Sequence, residues 1–129
     1  MKSLRFRPLL AVLPLSFFLL SVPPVHAEAP VKASGAILVG TNGMSLYTFD
    51  RDAAGSGKSV CNGPCAASWP PLMAQDADKN AGDYTVITRD DGKKQWAYKG
   101  KPLYFWVGDT KVGDKTGDGV NKVWQLAKP

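Results

Sequence analysis

GMSLYTFDRD at residues 43–52 and GKPLYFWVGD at residues 100–109 follow one pattern, G-x-x-L-Y-x-[FW]-x-x-D. Glycine, leucine, tyrosine, a second aromatic residue and aspartate keep the same spacing in both stretches, which is hard to attribute to chance. The chain is therefore predicted to contain two copies of one structural unit. The motif residues that could carry chemistry are Tyr47, Phe49 and Asp52 in the first copy and Tyr104, Trp106 and Asp109 in the second.

Short runs of β-forming residues surround both motifs. Asn42-Gly43 separates two such runs, and Lys99-Gly100 separates two more. Because glycine and asparagine tolerate positive φ, these dipeptides predict hairpin turns. The predicted strands are residues 36–39, 46–49, 84–88, 95–98, 103–106 and 123–126.

No stretch after the N-terminal region shows sustained helical periodicity, and glycine and proline interrupt the chain throughout. Residues 64–69 predict one helical turn, which Pro70 and Pro71 would stop. The predicted fold class is mainly β: a small antiparallel domain built from two related β-hairpin repeat units, with at most a short helical turn near the cysteines.

Residues 1–27 have the three parts of a secretory signal: a basic start, an apolar stretch and small residues before a cleavage point ahead of Glu28. The apolar stretch is short for a membrane span of about 20 residues, so no integral membrane segment is expected after cleavage. Residues 28–35 are predicted to be a flexible leader. Residues 36–129 are predicted to be a single domain, with repeat units at about 36–72 and 84–126.

Cleavage changes the composition of the chain. The signal contains the only histidine, His26, and three of the 16 basic residues, leaving 13 against 11 acidic ones. Basic and acidic residues are interspersed rather than clustered on one segment, so no nucleic-acid partner is expected. Without histidine, Ser-His-Asp and Cys-His catalytic arrangements and the common zinc sites are excluded. No recognisable catalytic constellation remains, and no cofactor is predicted.

Cys61 and Cys65 are expected to form a disulfide, because exported proteins meet an oxidising environment and a small core benefits from a covalent link. Two alternatives stay open. The pair could be redox-active, although a thioredoxin-type centre uses C-x-x-C in a βαβ setting. It could also handle copper, since thiolates suit Cu(I).

The motif side chains have a structural and a ligand-binding interpretation. Residues two apart in a strand share a face, so Tyr47 with Phe49, and Tyr104 with Trp106, are expected to stack side by side. The motif aspartates lie where each strand ends. Their carboxylates are expected to fix turns by accepting backbone N–H bonds, or to accept the hydroxyl of a tyrosine from the sister repeat.

The sequence offers two further candidate sites, one for Ca²⁺ and one for carbohydrate. Asp109, Asp114 and Asp118, with glycines between them, offer oxygen ligands for Ca²⁺, but their spacing is not that of an EF-hand. Carbohydrate stacking would need an exposed flat face on a tryptophan, above all on Trp96 or Trp106. The ordinary alternative is that the tryptophans form the core of a small β domain.

The doubled motif resembles that of the bacterial "secreted repeat of unknown function" family, described as predicted lipoproteins with a conserved Y-x-[FWY]-x-x-D motif. Residues 61–72, CNGPCAASWPPL, and the glycine-rich residues 108–124 also resemble family segments. The resemblance implies a secreted or periplasmic envelope protein of unestablished activity. This chain departs from the family in lacking a cysteine for lipid attachment and in having Gln125 where members commonly have histidine.

The sequence therefore predicts an exported, non-enzymatic cell-envelope protein, periplasmic or secreted and soluble after signal cleavage. Its role is expected to be binding or structural, with an unknown envelope component as partner. The alternative is a periplasmic thiol-redox or copper-handling accessory protein that uses Cys61 and Cys65.

Overall fold

The computed structural model describes residues 28–129, and the predicted signal peptide lies outside them. These residues form short antiparallel sheets, one five-residue helix, α1 (Pro64–Ser68), and a 3₁₀ turn at Val120–Lys122. The predicted mainly β class and the helical turn near the cysteines are confirmed. The strands are β1 (Val31–Ser34), β2 (Ile37–Gly40), β3 (Tyr47–Phe49), β4 (Met73–Ala74), β5 (Tyr84–Thr88), β6 (Lys94–Tyr98), β7 (Lys101–Pro102) and β8 (Trp124–Leu126).

Each repeat begins with an antiparallel hairpin, β1–β2 in the first and β5–β6 in the second. The chain then turns back beside the second strand of that hairpin. In the first repeat Leu46 N donates to Leu38 O (3.1 Å), and in the second Leu103 N donates to Trp96 O (3.0 Å). The same bond at the leucine of each motif shows that the sequence repeat is also a structural repeat.

The prediction of a flexible leader is wrong for Val31–Ser34, which is strand β1. It pairs with β2 from Val31↔Gly40 to Ser34↔Ile37, so the first repeat begins earlier than predicted. The strand is short and three of its four residues are exposed. Such a segment shows none of the apolar alternation by which strands are recognised.

The predicted hairpins around the motifs form only in part. At Asn42-Gly43 the turn is present, with Gly43 N donating to Gly40 O (2.9 Å), but β3 then leaves β2 and pairs with β8 instead. At Lys99-Gly100 the turn is also present, yet its outgoing strand β7 ends at Pro102. Beyond that proline, Tyr104 makes isolated bridges to Tyr47 and to Pro71.

The motif segments of the two repeats meet at their tyrosines. Tyr47 N donates to Tyr104 O (2.8 Å), and Tyr104 N donates to Tyr47 O (3.0 Å). On either side, the tail of each repeat lies beside the motif of the other: Leu72 N donates to Leu103 O (2.9 Å), and Ala127 N donates to Leu46 O (2.8 Å). The repeats are thus related by an approximate twofold axis between the tyrosines, and they exchange their tails.

The core has two clusters, and both draw on the two repeats. One cluster is aliphatic around Trp96, whose side chain is completely buried. Its indole Nε1 is the one buried side-chain N or O atom among residues 28–129 without a hydrogen-bond partner. The other cluster consists of Tyr47, Phe49, Cys61, Trp69, Tyr104 and Trp124.

The motif glycines occupy turns with positive φ, and we expect Gly100→Ala to cost more stability than Gly43→Ala. Both positions have a left-handed backbone (φ 82 and 79), which costs a substituted residue about 1–2 kcal/mol. A methyl group at Gly100 would in addition lie 2.5 Å from the backbone nitrogen of Gly55, whereas at Gly43 it meets only the exposed side chain of Val112. Urea denaturation followed by circular dichroism measures both losses, and equal losses would contradict this prediction.

Candidate functional site

The tyrosine and aspartate of each motif are bonded across the repeats. The Tyr47 hydroxyl donates to Asp109 Oδ2 (2.6 Å), and the Tyr104 hydroxyl donates to Asp52 Oδ2 (2.5 Å). Both tyrosines and Asp52 are at most 1% exposed, and Asp109 is 8% exposed. Each aspartate thus accepts the hydroxyl of the sister repeat's tyrosine, which is one of the two alternatives considered for it.

The second oxygen of each motif carboxylate is also occupied. Asp52 Oδ1 accepts the backbone N–H of Val60 (2.7 Å), and Asp109 Oδ1 accepts both the N–H (2.9 Å) and the hydroxyl (2.7 Å) of Thr116. Each aspartate therefore fixes a following loop as well as a tyrosine. Because both oxygens of each carboxylate are bonded inside the protein, the two aspartates are not presented to a ligand.

A buried arginine extends the Asp52 side of this arrangement. Arg89 Nη1 donates to Ser59 Oγ (2.9 Å) and to Gln95 Oε1 (2.7 Å), while Nη2 donates to Cys61 O (2.6 Å). Ser59 Oγ also shares a hydrogen bond with the Tyr104 hydroxyl (2.6 Å). The guanidinium is thus connected to the Tyr104–Asp52 pair through one serine.

The sequence interpretation missed Arg89, Ser59 and Gln95. One signal was present, because Arg89 lies two residues after buried Ile87 and so falls on the same face of the extended chain. The turn residues Asp90-Asp91-Gly92 that follow it are typical of an exposed loop, and they obscure this signal.

Burial shifts the titration of the motif tyrosines. Desolvation, followed by the hydrogen bond to Asp109, raises the pKa of Tyr47 well above the usual value for tyrosine. Desolvation and the bond to Asp52 raise the pKa of Tyr104 in the same way. Both hydroxyls therefore stay protonated and act as donors.

We expect the folded state to lose stability as pH rises above about 10, where tyrosine in the unfolded chain loses its proton. Folded Tyr47 and Tyr104 keep their protons to higher pH. The unfolded state then binds fewer protons, so stability that is fully present below about pH 10 declines above it. The measurement is the free energy of unfolding between about pH 8 and 11, compared with the Tyr47→Phe/Tyr104→Phe variant. An equally steep decline in that variant would assign the effect to other groups.

The second aromatic residue of each motif belongs to a stack of four rings. Phe49 stacks on Trp124 (centroids 4.3 Å apart), Trp124 on Trp69 (3.8 Å), and Trp69 on Trp106 (4.1 Å). The expected stacking of Tyr47 with Phe49 and of Tyr104 with Trp106 was wrong. The motif tyrosines instead make T-shaped contacts with the two central tryptophans, while Phe49 and Trp106 occupy the ends of the stack.

The structure gives little support to carbohydrate stacking on tryptophan. Trp96 is completely buried, and Trp69 and Trp124 are at most 4% exposed. Trp106 is half-buried and has one face on Trp69. The tryptophans that were considered for sugar binding are therefore mainly core residues.

The predicted Cys61–Cys65 disulfide is present. Cys61 is completely buried within the aromatic cluster, whereas Cys65 is half-buried in α1. Pro64 occupies the first turn of the helix, and Trp69 N donates to Cys65 O (2.8 Å) at its end. The disulfide and the helix together hold Trp69 in the stack.

The three aspartates considered for Ca²⁺ serve separate turns. Asp109 holds Tyr47 and Thr116, Asp114 accepts the backbone N–H groups of the Thr110-Lys111 turn, and Asp118 accepts the N–H of Leu126. Within residues 28–129 no group of three His, Cys, Asp or Glu side chains is arranged to hold a metal ion.

A groove of about 450 Å³ lies beside the aromatic stack. Phe49, Trp69 and Trp124 line it, together with the polar side chains Arg51, Ser68 and Asn121. Cys65 of the disulfide also borders it. This volume falls within the usual range of about 300–1,000 Å³ for small-molecule sites, and the lining combines aromatic rings with a few polar groups, as such sites do. The groove is therefore a candidate site for a ligand.

A family model described as "secreted repeat of unknown function" matches residues 31–73 and 85–128. The chain belongs to this family. The two matched segments correspond to the two structural repeats, the first beginning with β1 and the second within β5. No curated protein and no solved structure matches the chain.

The secreted-repeat family is described as secreted and of unknown function. Among residues 28–129 of this member, no helix has the length and apolar character needed to cross a membrane.

Proposed function

We propose that this secreted-repeat protein acts in the cell envelope after export, as a non-enzymatic domain with a binding or structural role. The observation that carries the proposal is the use of both tyrosine–aspartate pairs inside the core. Catalytic tyrosines and carboxylates must reach a substrate, whereas these are buried and bonded to one another. Residues 28–129 also contain no histidine to serve as a general base.

The family description supports the export part of the proposal, since it names the repeats as secreted. The N-terminal region, with its basic start, apolar stretch and small residues before Glu28, supports removal of a signal peptide. A disulfide-linked domain also suits an oxidising compartment.

Expression of the full chain in a bacterial host tests the proposal. The periplasmic fraction is expected to contain a product whose mass corresponds to an N-terminus at Glu28. That product is then incubated with peptidoglycan sacculi and with phospholipid vesicles, and the soluble fraction is searched for reaction products by mass spectrometry. An unprocessed cytoplasmic product, or turnover of either material, would overturn the proposal.

A thiol-redox or copper-handling role is a second candidate, because the half-buried Cys65 borders the groove. Complete burial of Cys61 favours a structural disulfide instead. Structural disulfides have reduction potentials below about −300 mV, and we expect such a value here. A potential near about −200 mV, or stoichiometric Cu(I) capture by the reduced protein that Cys61→Ser abolishes, would assign the function to the cysteines.

A further inference from the structure

The groove beside the stack is lined by ring edges. Trp124 has Phe49 on one face and Trp69 on the other, and Trp69 has Trp124 and Trp106 on its two faces. The parts of these two indoles that reach the groove are therefore their edges. The edge of an aromatic ring carries partial positive charge, so it favours an electron-rich partner, while the apolar area of the ring accepts apolar groups.

Arg51 supplies a full positive charge to the same groove. It is exposed, and the carboxylates next to it in sequence are engaged elsewhere. Asp50 Oδ2 accepts the side-chain amide of Gln125 (3.3 Å), and Asp52 holds the Tyr104 hydroxyl (2.5 Å). The guanidinium is therefore available to a ligand, and it favours carboxylate, sulfonate and phosphate groups, which accept two hydrogen bonds from it.

The groove lies beside the first motif. The position of Arg51 in the second motif is occupied by Gly108, where a side chain would collide with Trp106 (2.2 Å from a methyl group to Nε1). In that motif the larger Trp106 lies against Trp69. The first motif combines the smaller Phe49 with a cation, so the two copies differ where a ligand would bind.

The backbone is strained at one of the residues that line the groove. Asn121 and Lys122 both have positive φ (51 and 59), and the side chain of Asn121 lines the groove beside Ser68. Non-glycine residues in this conformation cost about 1–3 kcal/mol each and are concentrated at ligand sites. Asn121 and Ser68 bring an amide and a hydroxyl to the groove, where they can bond to the polar part of a ligand.

We propose that the groove binds a small organic anion with an apolar body, its acidic group on Arg51 and its body against Phe49, Trp69 and Trp124. This inference rests on the proposed function, of which it names the ligand class. The aromatic residues provide apolar area, and the single cation selects an anion over a neutral molecule of the same shape.

Two fluorescent probes with the same ring system test the proposal. One is 8-anilinonaphthalene-1-sulfonate, and the other is N-phenyl-1-naphthylamine, which lacks the sulfonate. Excitation of Trp69 and Trp124 should transfer energy to a bound probe. The exported protein is expected to bind one equivalent of the sulfonate, and Arg51→Gln should weaken that binding about tenfold, as loss of one charged hydrogen bond would. Binding of the uncharged amine should not change.

Two control variants distinguish an effect of net charge from an effect of the groove itself. Lys32→Gln removes one positive charge from exposed strand β1 and should leave both affinities unchanged. Ser68→Phe places a ring in the groove and should weaken both probes. The sulfonate should also raise the melting temperature, since a ligand of the native state stabilises it.

Equal loss of sulfonate binding in Arg51→Gln and Lys32→Gln would overturn the proposal, because the effect would then be nonspecific charge. Unchanged binding in Arg51→Gln, or a lowered melting temperature, would also overturn it. None of these results alters the cell fractionation or the turnover assay, so failure of this inference is distinguishable from failure of the proposed function.

Discussion

Replacing Trp69 with alanine is expected to lower the free energy of unfolding by about 3–5 kcal/mol. Trp69 is 4% exposed, and both of its faces are covered, by Trp106 (4.1 Å between centroids) and by Trp124 (3.8 Å). The Tyr47 ring makes a T-shaped contact with it as well. The substitution would leave a cavity in the middle of the stack, and the disulfide-linked helix beside it could not collapse to fill the space.

Trp106→Ala is the matched control for this prediction. Trp106 is half-buried at one end of the stack, so its removal should cost clearly less than removal of Trp69. Circular dichroism in urea follows both variants without depending on tryptophan emission. If Trp106→Ala were as costly as Trp69→Ala, this end of the stack would contribute as much as its centre, which would contradict the prediction.

Tyr104→Phe is expected to cost about 1.5–3 kcal/mol, the range for a hydrogen bond to a charged group. The substitution leaves the buried Asp52 Oδ2 without its donor and also removes the bond to Ser59. Tyr47→Phe should cost a similar amount in the sister repeat, since Asp109 Oδ2 then loses its donor.

Double-mutant cycles distinguish the exchanged pairs from a local effect within one motif. Tyr104→Phe and Asp52→Asn should be coupled by about 0.5–3 kcal/mol, because the first removes the donor and the second the charge of the acceptor in one hydrogen bond. Tyr104→Phe and Asp109→Asn lie in the same motif but share no such bond, so their effects should add more closely. Strong coupling within a motif and none across the repeats would contradict the exchange of partners.

Local signals in the sequence were sufficient for several elements. The Asp90-Asp91-Gly92 turn and the β-forming run before it predicted β5 with the bounds found, 84–88. Pro64 begins the helical turn and Pro70-Pro71 follow it, so the prolines limited the predicted α1 to one turn. These features depend on residues that are neighbours in the sequence, so the sequence of the segment itself is sufficient to predict them.

Features that depend on distant residues were not predicted as well. The pairing of β3 with β8, and the stack that joins Phe49 to Trp124, connect opposite ends of the domain. Two roles were considered for the motif aspartates from the sequence, fixing backbone turns or bonding to the sister tyrosines, and the structure uses both. The choice could not be made earlier because the bonded partners are 52 and 62 residues apart. The groove was not predicted, since nothing in the motif indicates that Arg51 lies beside α1.

The exchange of tails means that neither repeat encloses a complete core. A chain divided between β4 and β5 would leave Asp52 on one fragment and its donor Tyr104 on the other, so the fragments would have to associate in order to fold. A lone copy could reach the same packing only by pairing symmetrically with its twin. Covalent connection replaces that association with a high effective concentration. Within one chain, the two copies can also differ in sequence. One copy can therefore have phenylalanine and arginine at the positions where the other has tryptophan and glycine.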